Sequence, residues 1–201
     1  MIQGDEGSTL LGRHTPVLQE YAPHILHAIP RATARKTLGI GTVLPFYGAD
    51  LWHAYEMSWL DNDGKPVVRV GRFTVPASSP HIVESKSFKL YLNSLNSTRF
   101  VTVEAARATI VNDVSGAAGG AIDLQLLRVD DISLMGTALI GECLDDVSVE
   151  YRSGQPQAGQ LKVQVGLMVE EMLYSHLLRS LCPVTGQPDW ATVWLHYRGP
   201  A

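Results

Sequence analysis

Two segments of this 201-residue chain carry side chains whose types and spacing could do chemistry. The first holds Cys182 and Asp189, seven positions apart across a loop that contains Pro183, Gly186 and Pro188. Proline fixes φ and glycine permits tight turning, so such a loop can keep two side chains at a set separation. A thiolate attacks carbon electrophiles, and a neighbouring acid or base manages the proton that moves on addition. This is the chemistry of adding sulfur to a carbonyl, a nitrile or a disulfide. The same two residues also suit plainer roles, a small buried hydrophobe and a turn-forming acid. Cys143, in Gly141-Glu-Cys-Leu-Asp-Asp146, is followed closely by acids too, and Cys182 is preferred because its surroundings are rigid.

The second segment is Glu84-Ser85-Lys86-Ser87-Phe88-Lys89, at a predicted helix start. Free N–H groups and the helix dipole favour an anion there, and Lys86 and Lys89 add positive charge, a combination that suits phosphate. Glu84 lies just outside the helix, where a carboxylate could accept two hydrogen bonds from the N–H edge of a guanine-like base. The plain alternative is a capped amphipathic helix with solvated lysines.

These segments need elements to position them. Pro16, Pro23, Pro30 and Pro45 break residues 1–46, which should wrap a folded body rather than form its core. Alternating apolar and polar residues over 51–60 and 66–76, joined by Asp61-Asn-Asp-Gly64, predict a β-hairpin. Phe88, Leu92 and Leu95, with Tyr91 beside them, form one helical stripe. A second helix is expected from Val103 to about Val114, with Thr102 as N-cap, Gly116 as stop and 116–120 as a flexible break. Further strands are expected at 121–128 and 147–151, which makes an α+β module with an antiparallel sheet. The stretch 152–160 has linker composition, and a second pair of long strands should follow at 161–180 and 191–197. The boundaries read 1–46, 47–155 and 156–201. Both halves begin with a long two-stranded hairpin, although their residue identity is too low to show a repeat.

Composition narrows the partners. With 45% hydrophobic and 18% charged residues the chain can bury one large core or two small ones. A net charge of −4 leaves no excess of cations for a nucleic-acid backbone or a membrane surface. The start Met1-Ile-Gln-Gly-Asp-Glu lacks a basic leader, and no run reaches membrane-spanning length, so a cytoplasmic location and two free thiols are expected. The seven histidines (14, 24, 27, 53, 81, 176 and 196) show no metal-binding spacing with the cysteines, and no metal is expected.

Residues 84–94, ESKSFKLYLNS, resemble the signature of the QueF family of NADPH-dependent nitrile reductases, and 180–191, SLCPVTGQPDWA, resemble that family's nucleophile loop. The similarity to the bimodular branch extends from Leu44-Pro-Phe-Tyr-Gly-Ala-Asp-Leu-Trp52 to Tyr197-Arg-Gly199. The resemblance implies a tunnelling fold (T-fold), an antiparallel sheet with two helices on one face, present twice per chain and related to GTP cyclohydrolase I. It also implies reduction of 7-cyano-7-deazaguanine to its aminomethyl form in queuosine biosynthesis, a tRNA modification pathway, with no metal. By the same resemblance Cys182 would form a covalent thioimide and Asp189 would protonate the nitrogen. Glu84 would hold the deazapurine edge with Val83 and Ser85 beside it, while Ser85 and Lys86 would contact NADPH. Family members continue past Tyr197-Arg-Gly199 with a Phe-His-Glu and an Arg-Gly-Gly segment, and neither occurs here. The expectation is therefore a complete first module, a partial second module, and little or no activity of this chain alone.

Two other readings stay open. A cyclohydrolase-like hydrolase would need zinc ligands, which the sequence does not space. A non-catalytic module could bind a purine-like ligand or a partner through its sheet. Exposed sheet edges favour a homo-oligomer, a dimer first.

Overall fold

The computed structural model describes residues 20–149, 158–182 and 185–201. The prolines of the N-terminal stretch leave only short pieces: a 3-10 turn at Pro23–Ile25, strand β1 (Ala28–Pro30) and helix α1 (Arg31–Thr37). Several residues of this stretch hydrogen-bond to later elements. Tyr21 OH donates to Asp113 Oδ2 at 2.6 Å, Ala22 N–H to Ser94 Oγ at 3.2 Å and His27 N–H to Ser87 Oγ at 3.1 Å. Arg31 forms an ion pair with Asp50 and donates to Ser79 Oγ at 3.2 Å.

The predicted hairpin forms from β2 (Ala49–Leu60) and β3 (Pro66–Pro76), paired antiparallel. Asp61 Oδ1 accepts the N–H groups of Asp63 and Lys65, and Gly64 takes a positive φ of 87°, so the turn is built by an Asx contact and a glycine. Between the pairs Ala54↔Gly71 and Met57↔Arg69, two residues of β2 oppose the single residue Val70. This bulge shifts the side-chain parity. Trp52 and Ala54 face the core before it, Met57 and Trp59 after it.

Strand β4 (His81–Val83) pairs with β1, and helices α2 (Ser85–Ser94) and α3 (Val103–Ala118) follow. Strand β5 (Asp123–Leu127) adds to β3, giving the sheet order β2-β3-β5. Phe88, Tyr91, Leu92 and Leu95 of the predicted stripe are buried with Ile110, Val114, Phe73 and Leu124. The Phe73 and Phe88 rings meet edge to face at 4.9 Å. Burying each such large side chain contributes about 1.5–3 kcal/mol. Thr102 caps α3 as expected, its Oγ1 accepting the Ala105 N–H at 3.0 Å. The helix does not stop at Gly116, nor are residues 116–120 a flexible break. The helix runs through Ala118, which is fully buried, and ends at Gly119, whose φ of 71° makes the left-handed cap.

Strand β6 (Glu142–Cys143) lies parallel to β7 (Met168–Leu181), which pairs antiparallel with β8 (Pro188–Pro200). Three expectations change in this part. Residues 147–149 form no strand, while 150 and 151 lie outside the described residues. The long strand begins at Met168 rather than Leu161, because 161–167 have no strand partner and Gly166 turns at a φ of 93°. Its partner is longer than predicted, Pro188–Pro200 instead of 191–197. The protein is thus α+β, with largely antiparallel sheets and three α-helices among the described residues.

Contacts divide the chain into two units that meet between Met135 and Gly136. This division precedes the linker-like stretch 152–160 because β6 and Leu144, whose N–H donates to Tyr174 O at 2.9 Å, attach to β7. Among the described residues no helix is long and apolar enough to cross a membrane.

Candidate active site

Cys182 follows the last paired residue of β7. Its N–H donates to Gln187 O at 2.8 Å and its carbonyl accepts the Gly186 N–H at 2.9 Å, with Gly186 at a φ of 69°. Asp189 pairs with Ser180 in the ladder. Side chains alternate along a strand, so Cys182, two residues beyond Ser180, shares a face with Asp189 as its diagonal neighbour. Such neighbours have Cα atoms roughly 7–8 Å apart, within reach of a small substrate bridging both. The Cys182 thiol is half-buried and free of any disulfide, and Asp189 is exposed. By register the two residues lie at the same closing end of the hairpin; Pro183 and Val184 lie outside the described residues.

The Glu84 segment belongs to the first unit, and its geometry differs from expectation in one respect. The first-turn N–H groups of α2 are not free. Lys86 N–H donates to Glu84 Oε1 at 3.1 Å and Ser87 N–H to Glu84 Oε2 at 2.6 Å, so the anion at this helix start is Glu84 itself. Glu84 is 5% exposed, and its own N–H donates to His27 O at 2.8 Å. Each carboxylate oxygen keeps a second lone pair, which leaves capacity for a ligand N–H. Beside this cap stand the Ser85 hydroxyl and the Lys86 and Lys89 ammonium groups. Ser85 is exposed and Lys86 half-buried, while Lys89 stands 3.8 Å from Glu56.

Beside this helix start lies a groove of about 360 Å³ between β2 and α2, lined by Trp52, His53, Glu56, Ser85, Lys89 and Asn93 among others. It offers an aromatic wall, with His53 and Tyr55 stacked at 5.9 Å, next to hydroxyl and ammonium donors. Val83 is buried and borders a smaller, apolar recess with Trp52, Phe73 and Phe88.

Residues 18–126 match the family described as Nitrile reductase, 7-cyano-7-deazaguanine-reductase N-term. The chain belongs to this nitrile reductase family. It is 51% identical to the NADPH-dependent 7-cyano-7-deazaguanine reductase of Teredinibacter turnerae, over 97% of this chain and 70% of that protein. The reductases of the same name from Chromohalobacter salexigens and Dechloromonas aromatica are 51% and 50% identical, each over 94% of this chain, and 69% and 68% of their lengths are covered. The nitrile reductase relatives thus extend over both candidate segments.

One group of polar side chains gave no signal in the sequence. Cys143, Asp145 and His176 come together through the pairing of β6 with β7, and their spacing along the chain fits no metal motif. Asp145 accepts from Ser175 Oγ at 2.8 Å and from the His176 N–H at 3.1 Å. The Ser175 hydrogen bond is the main cause that holds its carboxyl below the usual range.

Proposed function

We propose that this chain supplies the nucleophile and the base-binding helix of an NADPH-dependent reductase that converts the nitrile of 7-cyano-7-deazaguanine to 7-aminomethyl-7-deazaguanine, in queuosine biosynthesis. The observation that carries the reading is the Cys182 and Asp189 pair on one face of the β7–β8 hairpin. Both units are read as tunnelling-fold modules: the first over 47–155 wrapped by 1–46, the second over 156–201 as given, with the β6 segment running on to hold β7. The proposed assembly is a homo-oligomer, a dimer first, in the cytoplasm.

In this mechanism Cys182 Sγ attacks the nitrile carbon. One π bond of the C≡N group opens, the new C–S bond gives a thioimide, and Asp189 delivers the proton to nitrogen. Holding thiol, acid and carbon together removes the entropic cost of their encounter. NADPH supplies the hydrides, four electrons in all, that separate a nitrile from a primary amine. Ser85 and Lys86 would hold its anionic groups, a role their exposed hydroxyl and half-buried ammonium fit. Glu84, fixed by its own helix N–H groups, would present its remaining lone pairs to the N–H edge of the deazapurine, with Val83 and Ser85 beside it. After the first two-electron reduction the nitrogen lone pair forms a C=N bond as the C–S bond breaks, so Cys182 leaves as the thiolate and an imine remains. The second two-electron reduction, of that imine, gives the primary amine.

Incubation of the 201-residue chain with the nitrile should add one substrate mass by intact mass spectrometry, and Cys182→Ala should abolish it. Asp189→Asn should slow adduct formation by about 10²–10⁴-fold, the usual worth of a positioned acid. A folded wild-type chain that forms no adduct would sink the reading, and reversible binding without an adduct would favour a ligand-binding module instead.

A further inference from the structure

We propose that Cys143, Asp145 and His176 form a binding site for a divalent cation of the zinc class, separate from the Cys182 and Asp189 pair. The ligand-type atoms of these residues, a thiol sulfur, a carboxylate oxygen and an imidazole nitrogen, all lie within 4.8 Å of one another. Zn–S and Zn–N bonds of about 2.3 and 2.0–2.1 Å at a tetrahedral angle place ligand atoms about 3.5 Å apart. The gap to that value is at most about 1.3 Å, within the range of side-chain rotation for the exposed His176.

Three different constraints converge on the group. Cys143 closes β6 opposite Tyr174, so backbone pairing sets its position. Asp145 is fixed by Ser175 Oγ and by the His176 N–H. His176 is one of the two β7 residues without a partner in the bulge between Ser175 and Leu178, where a strand re-aims a side chain, and its Nδ1 lies 2.8 Å from Thr192 Oγ1. Hydrogen-bonded carboxylate and imidazole ligands are the usual surroundings of a metal, since such contacts orient the ligands before it arrives. Thiolate with imidazole selects zinc and its neighbours over calcium or magnesium, which take oxygen ligands. Three protein ligands leave a fourth position for water. Binding releases the Cys143 thiol proton to solvent and ties the β6 segment to the bulge of β7.

The test uses the full 201-residue chain, stripped with chelator and titrated with cobalt(II) chloride under reducing conditions. One equivalent should develop a thiolate-to-cobalt charge-transfer band in the near ultraviolet and be displaced by zinc(II). Cys143→Ser should remove that band, His176→Ala should weaken cobalt affinity by at least tenfold, and Cys182→Ala should leave the band intact. Thr192→Val, which removes only the hydrogen bond to the ring, should weaken affinity by about 10–100-fold. Absence of the band in a chain whose circular dichroism shows it folded would overturn the proposal. So would a band that survives Cys143→Ser and disappears in Cys182→Ala. If Cys143→Ser fails to fold, Asp145→Asn decides: affinity unchanged within twofold counts against the site, and a loss of tenfold or more supports it.

Discussion

Hairpin β2–β3 and hairpin β7–β8 are built to one plan and put to different uses. Each has a bulge in which two residues of the first strand oppose one of the second, Tyr55-Glu56 against Val70 and His176-Leu177 against Thr192. Four ladder pairs follow in each, closing at Leu60↔Pro66 and at Leu181↔Pro188. Beyond them Asp61 N–H bonds Lys65 O at 2.9 Å, and Cys182 N–H bonds Gln187 O at 2.8 Å. The register therefore aligns Cys182 with Asp61, Asp189 with Val67 and Ser180 with Trp59. In the first hairpin Trp59, opposite the half-buried Val67, is the plug, 1% exposed and edge-on to Phe100. In the second the same places hold Ser and Asp. The lesson is that one bulge and the four pairs after it can carry either a covered apolar plug or an exposed pair of polar side chains without a change of register.

The largest effect should come from that plug. Trp59→Ala is expected to cost about 3–5 kcal/mol in chemical denaturation, whereas Trp190→Ala, at a position 60% exposed, should change stability by less than about 0.5 kcal/mol. Equal losses would break the contrast between a covered and an open hairpin. Gly71→Ala comes next. A Cβ there would stand 2.2 Å from Met57 Sδ and 2.8 Å from the Phe73 ring, and the expected cost is about 1–3 kcal/mol. The aligned position in the second hairpin already carries Val193, so Val193→Ala should be milder.

The turns should respond alike. Gly64→Ala and Gly186→Ala both place a side chain at positive φ, 87° and 69°, and each should cost about 1–2 kcal/mol. A larger loss at Gly64 would be assigned to the Arg99 side chain, 2.6 Å from the new Cβ, since Gly186 has nothing within 4 Å.

The smallest effect belongs to the first unit alone. Burial, then the hydrogen bond to Asp113, pushes Tyr21 up to about 12, and the same causes in the same order push the fully buried Tyr91 up as well. A phenol whose folded value exceeds its unfolded value near 10 contributes stability that is complete below that value and is lost as pH rises through the folded value. Stability should therefore fall between about pH 10 and 12, and Tyr21→Phe should flatten part of that slope in urea titrations at stepped pH. An unchanged slope would show that Tyr21 does not carry it.

Much of this was legible in the residues. The Asp61–Gly64 turn, the Phe88, Leu92 and Leu95 stripe and the Thr102 cap all depend on neighbours a few positions apart, and short-range periodicity reports such contacts. The end of α3 was misread because Gly116 tolerates a helix when Ala117 and Ala118 continue it into a buried surface. The start of β7 was misread because 161–167 has strand-like residues without a strand to pair with.

The amino-acid order alone thus determined which segments turn and which coil, since those depend on φ preferences and on apolar spacing. Tertiary structure decided the rest. Only ladder register, which is set by pairing between distant strands, could place the two bulges in matching positions and carry Cys143 to the side of His176.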